Sequence, residues 1–261
     1  MELRTFVAGP ELMEALLAGH VDVGYVGPVP AVNAYLRSDG AVRLVAGSTS
    51  GGALLVTRPG VSVRRPADLA GLRVAVPQVG NTQDVALRWT LREAGLKPLE
   101  RGGTVRVVPV PPAQAAPLME RGEVDAAWVP EPWGSYLMHR SKASLGWDER
   151  ELWPGGRFAT IVVVARREAL ARRGEQVRAF LDVHARLVRR LQEDPEARAR
   201  AAQALAQRTG KLLPEPVLAS AWSRLEFTAD PLPETVRAMV ERAYRLGYLP
   251  AAPPPAQALG P

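Results

Sequence analysis

The 261-residue sequence contains no cysteine. That excludes a disulfide scaffold, a thiolate zinc site and thiol catalysis. Lysine is almost as scarce: Lys97, Lys142 and Lys211 are the only basic residues of 33 that are not arginine. His20, His139 and His184 are the only histidines, and none has a partner at metal-ligand spacing. They are expected to be surface or structural groups, with no metal and no cofactor bound. No run of about 18 apolar residues occurs, so no segment is long enough to span a bilayer as a helix. Nor is there a block of five or six like charges. The net charge of +6 invites a nucleic-acid reading. The arginines, however, are interleaved with acids, as in Arg166-Arg167-Glu168. Solvated helix faces are expected instead, with a mild positive field that favours anionic solutes and no nucleic-acid partner. The start of the chain shows no basic stretch, apolar core or small-residue cleavage site of a signal peptide.

What the chain does have is a repeat. Residues 19–26 read Gly-His-Val-Asp-Val-Gly-Tyr-Val and residues 122–129 read Gly-Glu-Val-Asp-Ala-Ala-Trp-Val, with Asp22 and Asp125 103 positions apart. Each copy follows a short amphipathic run, and each is followed by a rigid turn, Gly27-Pro28-Val29-Pro30 or Pro130-Glu131-Pro132-Trp133. A helix, a glycine turn, a short apolar strand and a stiff loop therefore occur twice. The expected fold class is α/β, with two lobes of one plan, each a mixed, mostly parallel sheet flanked by helices. Ligands bind such sheets at the carboxyl ends of the strands.

Periodicity places strands at 2–7, 21–26, 42–46, 53–57, 72–76, 105–110, 124–129 and 158–165. Helices are expected at 10–18, 30–37, 84–94 and 112–121, and almost continuously from Glu168 to Gly247. Residues 47–52, 77–83 and 130–134 read as loops. The first lobe is expected to comprise 1–65 plus 166–250 and the second 71–157, with hinge crossings near 55–70 and 158–166. The Pro/Ala-rich tail, 251–261, is expected to be loose.

Four segments together carry a family resemblance. They are Gly19–Pro30, Leu69-Ala-Gly-Leu-Arg-Val-Ala-Val-Pro77, Gly80-Asn-Thr-Gln-Asp84 and Gly122–Trp133. In this order and spacing they resemble the nitrate/sulfonate/taurine/bicarbonate substrate-binding proteins of ABC transporters, a group that includes thiamine-precursor binders. The resemblance covers the chain to about residue 250. It implies a two-lobed, type II periplasmic-binding-protein fold that closes on a small anionic or zwitterionic solute. It implies an extracytoplasmic location and ABC permease subunits as partners. Members of the group begin with a signal or lipoprotein segment and then a strand and helix of the first lobe. On that pattern about thirty residues of the first lobe are expected to be missing before Glu2. A monomer is the default.

Four loops are expected to hold the ligand. Gly27 and Pro28 open a helix, whose N-terminal amides suit an anion. Ser50, Gly51 and Gly52 offer a hydroxyl and close backbone approach. Asn81, Thr82 and Gln83 precede a helix and resemble the group's second-lobe anion loop. Glu131 and Trp133 offer a carboxylate for an ammonium and a flat apolar wall. An anion loop plus one carboxylate suits a zwitterion such as an amino-sulfonate. The alternative is an enzyme of the same fold, acting in thiamine-precursor or menaquinone biosynthesis. Against it stands the lack of a catalytic nucleophile–base pair.

Overall fold

The computed structural model describes residues 2–6, 8–209 and 212–252. Two sheets organise it. The first has strand order β1 (Val23–Val26), β8 (Ala159–Arg166), β2 (Val42–Gly51), β9 (Leu225–Phe227), with antiparallel pairing throughout. The second has order β5 (Arg106–Pro109), β4 (Arg73–Val76), β6 (Ala126–Pro130), β3 (Ala53–Thr57), β7 (Ser144–Asp148). Here β5, β4 and β6 run parallel, whereas β3 and β7 are antiparallel to their neighbours. The helices are α1 (Gly9–Leu17), α2 (Pro28–Arg37), α3 (Thr82–Glu93), α4 (Ala115–Glu120), α5 (Trp133–Arg140), α6 (Arg167–Arg172), α7 (Gly174–Glu193), α8 (Pro195–Thr209), α9 (Glu215–Trp222) and α10 (Pro233–Arg245).

The repeat is explained by what its aspartates do. Asp22 and Asp125 stand just before β1 and β6, at the ends remote from the stiff loops. In each copy the aspartate carbonyl accepts the N–H of an arginine at the end of the antiparallel neighbour strand, the last residue of β8 or the first after β3. Arg166 donates to Asp22 and Arg58 to Asp125, both at 2.9 Å. The carboxylates hold the same arginines. Asp125 accepts Arg58 Nε at 3.0 Å, Arg73 Nε at 2.9 Å, Arg73 Nη2 at 2.8 Å and the Arg73 amide at 2.9 Å. The Arg73 fork holds its carboxyl well below the ordinary aspartate range, against the opposing effect of burial. Asp22 accepts Arg166 Nη2 at 3.3 Å and Arg173. Both aspartates thus pin the near end of a strand so that its far end delivers a loop.

Alternation along the second sheet sorts its side chains to two faces. Leu54, Val56, Ala75, Ala127 and Val129 pack on the α4 and α5 side. Leu55, Val74, Val76, Ala126 and Trp128 pack with Leu87 and Leu91 of α3. Because both faces are covered, the strands read as unbroken apolar runs. The first sheet builds its core with α1, α2 and α10, joined by Val85 of α3 and by Trp153.

The first sheet is antiparallel and not the mostly parallel sheet expected, because among the described residues no helix crosses between its paired strands in the sense a parallel pair requires, and three further expectations are corrected. Residues 2–6 form no strand and are mostly exposed; Val7 lies outside the described residues. In the second sheet the equivalent segment, β5, pairs with β4. Among the described residues, no strand of the first sheet stands in the place of β4 beside β1, so residues 2–6 have no ladder to join. The expected loop at 47–52 is largely strand, because β2 continues to Gly51 and pairs with both β8 and β9. The chain changes sheet at Gly52, before the expected crossing at 55–70, so β3 belongs to the second sheet. Gly51 and Gly52 take φ values of 72° and 68°, the left-handed region that costs other residues energy. Third, α5 begins inside the expected loop at 130–134, and β7 and β9 went unforeseen. From residue 253 the tail lies outside the described residues.

The return passage, between β7 and β8, carries a buried acid. Glu149 accepts the indole N–H of Trp128 at 2.8 Å and of Trp153 at 3.3 Å. Trp128 lies in the core of the second sheet and Trp153 in that of the first, so one carboxyl bridges both. Arg242 of α10 lies over the Trp153 ring at 4.1 Å. Burial pushes Glu149 up to about 7, although the indoles and Arg242 oppose the shift. A folded-state value above the unfolded one gives stability that is complete below about 4.5 and lost as pH rises to about 7. At about 1.4 kcal/mol per pK unit, a few kcal/mol are at stake. Urea denaturation between pH 5 and 8 is therefore expected to show this loss in the parent and a flatter profile in Glu149→Gln. Parallel profiles would contradict the assignment.

Candidate ligand site

The N-terminus of α3 carries the densest set of polar groups. Asn81 caps it, its Oδ1 accepting the Asp84 N–H at 2.8 Å. Asp84 has no exposed surface and accepts the Gly80 N–H at 2.8 Å and Arg88 Nε at 2.7 Å. The Asn81 amide nitrogen donates to Gln83 Oε1 at 3.3 Å. This arrangement satisfies the loop and leaves the first helical turn unspent. The backbone N–H groups of Thr82 and Gln83 have no acceptor among the described residues. Helix N-termini with free amides attract anions through those dipoles.

Two unspent side chains, Gln78 and Thr82, belong to the same loop and turn. Five buried polar side-chain atoms have no partner among the described residues. Three of them, Thr49 Oγ1, Gln78 Oε1 and Thr82 Oγ1, lie in segments expected to be loops at the cleft. A buried polar atom without a partner costs free energy, and a bound solute would supply one. Thr82 is 4% exposed. A Cβ built on Gly27 would sit 2.4 Å from Thr82 Oγ1. The loop after β1 of the first sheet and the first turn of α3, which follows β4 of the second, therefore meet.

The two helix N-termini differ. Pro28 and Pro30 lack N–H groups, and Ala31 N–H is spent on the Gly27 carbonyl at 3.2 Å. Val29 alone keeps an amide in the first three positions of α2. So Gly27 and Pro28 contribute close approach and apolar surface, while the hydrogen-bond donors come from α3.

Other expected residues have partners within the protein. Ser50 Oγ accepts the Phe158 N–H at 3.2 Å. The Gly51 carbonyl accepts the Thr160 hydroxyl, and the Gly52 carbonyl accepts the Glu131 N–H at 2.7 Å. These three residues fasten the passage between the sheets. Glu131 has a fully buried carboxylate, which accepts the Ser135 N–H at 3.0 Å and the Ser135 hydroxyl at 2.8 Å. Arg224 Nη1 lies 3.9 Å away and also donates to the Ser220 carbonyl. Burial raises the Glu131 pKa, with Ser135 and Arg224 opposing. Trp133 opens α5, packs edge-on against Tyr136 and borders the core beneath α5. His184 is structural: its Nε2 lies 2.7 Å from the Gly47 carbonyl and its Nδ1 3.0 Å from the Tyr25 hydroxyl.

Sequence reasoning missed Thr49, Gln78, Arg88 and Tyr248. Asp84 and Arg88 at i, i+4 were a legible helical pair. Tyr248 comes from beyond α10, and its ring faces the Arg88 guanidinium at 5.8 Å. Burial and Asp84 raise the Tyr248 pKa. Nothing local in the sequence links it to α3.

Comparison with known proteins agrees with this architecture. The NMT1-like family profile matches residues 1–206, and the chain belongs to the NMT1-like family. The taurine-binding periplasmic protein of Escherichia coli (strain K12) is 30% identical over 181 residues, covering 69% of this chain and 54% of that protein. The chain thus spans about half the length of that curated relative. The alkanesulfonate-binding protein SsuA of Xanthomonas axonopodis pv. citri, solved with MOPS, superposes with a TM-score of 0.78 at 25% identity over 97% of this chain and 85% of that one. The nitrate-binding protein NrtA of Synechocystis PCC 6803 shares the fold, with a TM-score of 0.81 at 16% identity over 97% of this chain and 75% of that one.

The contact between Gly27 and Thr82 makes a direct prediction. Gly27→Ala is expected to cost about 1–3 kcal/mol by overpacking. In a Thr82→Ala background most of that cost should vanish, because the opposing hydroxyl is gone. A double-mutant cycle in urea reads the coupling, and additive effects would mean that the two loops do not touch.

Proposed function

We propose that the chain is the solute-binding component of an ABC importer and captures a small oxyanion, of which a sulfonate is the leading case. The observation that carries this reading is the first turn of α3, where two unspent amides accompany the unpartnered Thr82 hydroxyl that faces Gly27. That donor set suits the tetrahedral or trigonal oxygens of an anion. The names of the taurine- and alkanesulfonate-binding relatives support the same chemistry.

The mechanism is closure without bond making. Each sheet with its flanking helices acts as one lobe, and the two passages, at Gly51–Gly52 and 149–158, act as the hinge. A ligand held on α3 and covered by the Gly27 loop binds the closed state better than the open one and draws the population toward it. Asp84 and Arg88 keep the α3 loop in shape before the ligand arrives, so little ordering remains to be done on binding. The proposed setting is outside the cytoplasmic membrane, where the closed, monomeric protein delivers its solute to permease subunits. No helix among the described residues is long and apolar enough to cross a membrane.

A thermal-shift assay tests this. Saturation at a hundred times Kd should add about 2.7 kcal/mol of stability with a sulfonate. Thr82→Ala should bind at least tenfold more weakly while keeping its unliganded melting temperature within a few degrees. Equal binding by the variant would remove the α3 turn from the site.

A further inference from the structure

The turn at the start of α3 is braced from outside the second sheet. We infer that Tyr248, just beyond α10, is a positioning residue of the anion site: it holds Gly80, Asp84 and Arg88, and through them sets the unspent donors of Thr82 and Gln83. This rests on the reading of α3 as the anion site. The family profile stops at residue 206, short of the segment that carries Tyr248.

The end of α10 places this side chain with little freedom. Gly247 takes a φ of 83°, and the N–H groups of Gly247 and Tyr248 donate to the carbonyls of Tyr244 and Ala243, both at 2.9 Å. This is a Schellman closure, in which a left-handed glycine ends the helix and turns the chain. On either side of the turn, Leu246 and Leu249 are buried in the core of the first sheet, and Tyr248 itself packs partly against that core. From the other half, Arg92 and Arg101 hold the carbonyls of Arg245 and Leu246. A side chain fixed between such anchors has little conformational entropy left to lose.

What Tyr248 meets is the frame of the α3 turn. A Cβ built on Gly80 would sit 3.4 Å from the ring, so the ring lies against the loop backbone at ordinary contact distance. The Arg88 guanidinium faces the ring at 5.8 Å. Burial raises the phenol pKa first, then the charge of Asp84 and a hydrogen bond to its side chain, with Arg88 opposing. The Asp84 carboxylate therefore accepts from Gly80, Arg88 and Tyr248. Because that carboxylate is fully buried, water cannot replace a donor it loses. Thr82 and Gln83 lie between Gly80 and Asp84 in the chain, so their amides follow this frame.

The brace and the turn belong to different sheets. In the proposed closure, the contact completes as the lobes come together, so bracing the turn and covering the ligand favour the same state. Each then strengthens the other by the same factor.

Isothermal titration of the full chain tests this with taurine, methanesulfonate and nitrate, carrying through the tightest of the three. Tyr248→Phe keeps the ring and loses the hydroxyl; Tyr248→Leu loses both. Affinity should fall severalfold in the first and at least tenfold in the second, with unliganded melting temperatures within a few degrees of the parent. Tyr244→Ala, at an exposed position of the same helix, should leave affinity unchanged. In a Thr82→Ala background the loss caused by Tyr248→Leu should shrink to a few-fold, because both act through one turn, whereas independent sites would add. Hydrogen exchange reads the brace without a ligand. The bonded amides of Gly80 and Asp84 should exchange severalfold faster in Tyr248→Leu, with those of α8 unchanged. Parent affinity in both Tyr248 variants, or unchanged exchange at Gly80 and Asp84, would overturn the inference, while a weakened Thr82→Ala would still keep the anion site. If none of the three anions binds the folded parent, the α3 reading falls and the inference with it.

Discussion

The shape of the candidate site depends on one buried ion pair. Asp84 lies at the third position of α3 with no exposed surface, a place where a carboxylate persists only if it is paired and hydrogen-bonded. Arg88, one turn on, supplies the charge, and Gly80 supplies an amide. The same carboxylate thereby bends the preceding loop back over the helix. Asn81 takes the Asp84 N–H in return. With those groups satisfied among themselves, the amides of Thr82 and Gln83 are left without an acceptor among the described residues. Arg88 also reaches Glu100 and lies beneath Tyr248, which ties the shape of the turn to two distant segments.

Much of the architecture was legible because it is written twice. Gly-x-Val-Asp followed by an apolar strand identifies the same unit at 19–26 and 122–129, and the glycine and aspartate do the same job in both. The exceptions have physical causes. Residues 2–6 have the alternation of a strand, but alternation forms a strand only where a neighbour offers a ladder, and among the described residues β1 has no counterpart of β4 beside it. Ser48–Gly52 has loop composition, yet its backbone is recruited by β8 and β9. The site was half legible. Thr82 was visible as a residue at a helix start, and Gly27 as a strand-end turn. Glu131 drew attention as a carboxylate fixed between prolines; Ser135 meets it from four residues on, but Arg224 comes beside it only through the packing of α5 against α9, which no local pattern encodes. Tyr248 was invisible for the same reason.

The halves of the molecule are joined by more than chain connectivity. Arg92 and Arg101 of the second half donate to the carbonyls of Arg245 and Leu246 at the end of α10. Arg242 lies over both Trp89 and Trp153. Thus α3, which supplies the donors of the site, also rests on the helix that closes the core of the first sheet. A rotation of one sheet against the other has to be accommodated by these cation–ring and arginine–carbonyl contacts, which tolerate small displacements better than interlocked apolar side chains do.

Glu149 has a consequence of another kind. Trp128 and Trp153 belong to different cores and share one carboxyl through their indole nitrogens. Indole emission responds to the hydrogen bond and the charge at its nitrogen. A change in the angle between the sheets lengthens one of these bonds before the other and changes the light the two rings emit. The proposed closure would thus be readable in tryptophan emission, without an attached dye, through residues outside the loops expected to hold the ligand.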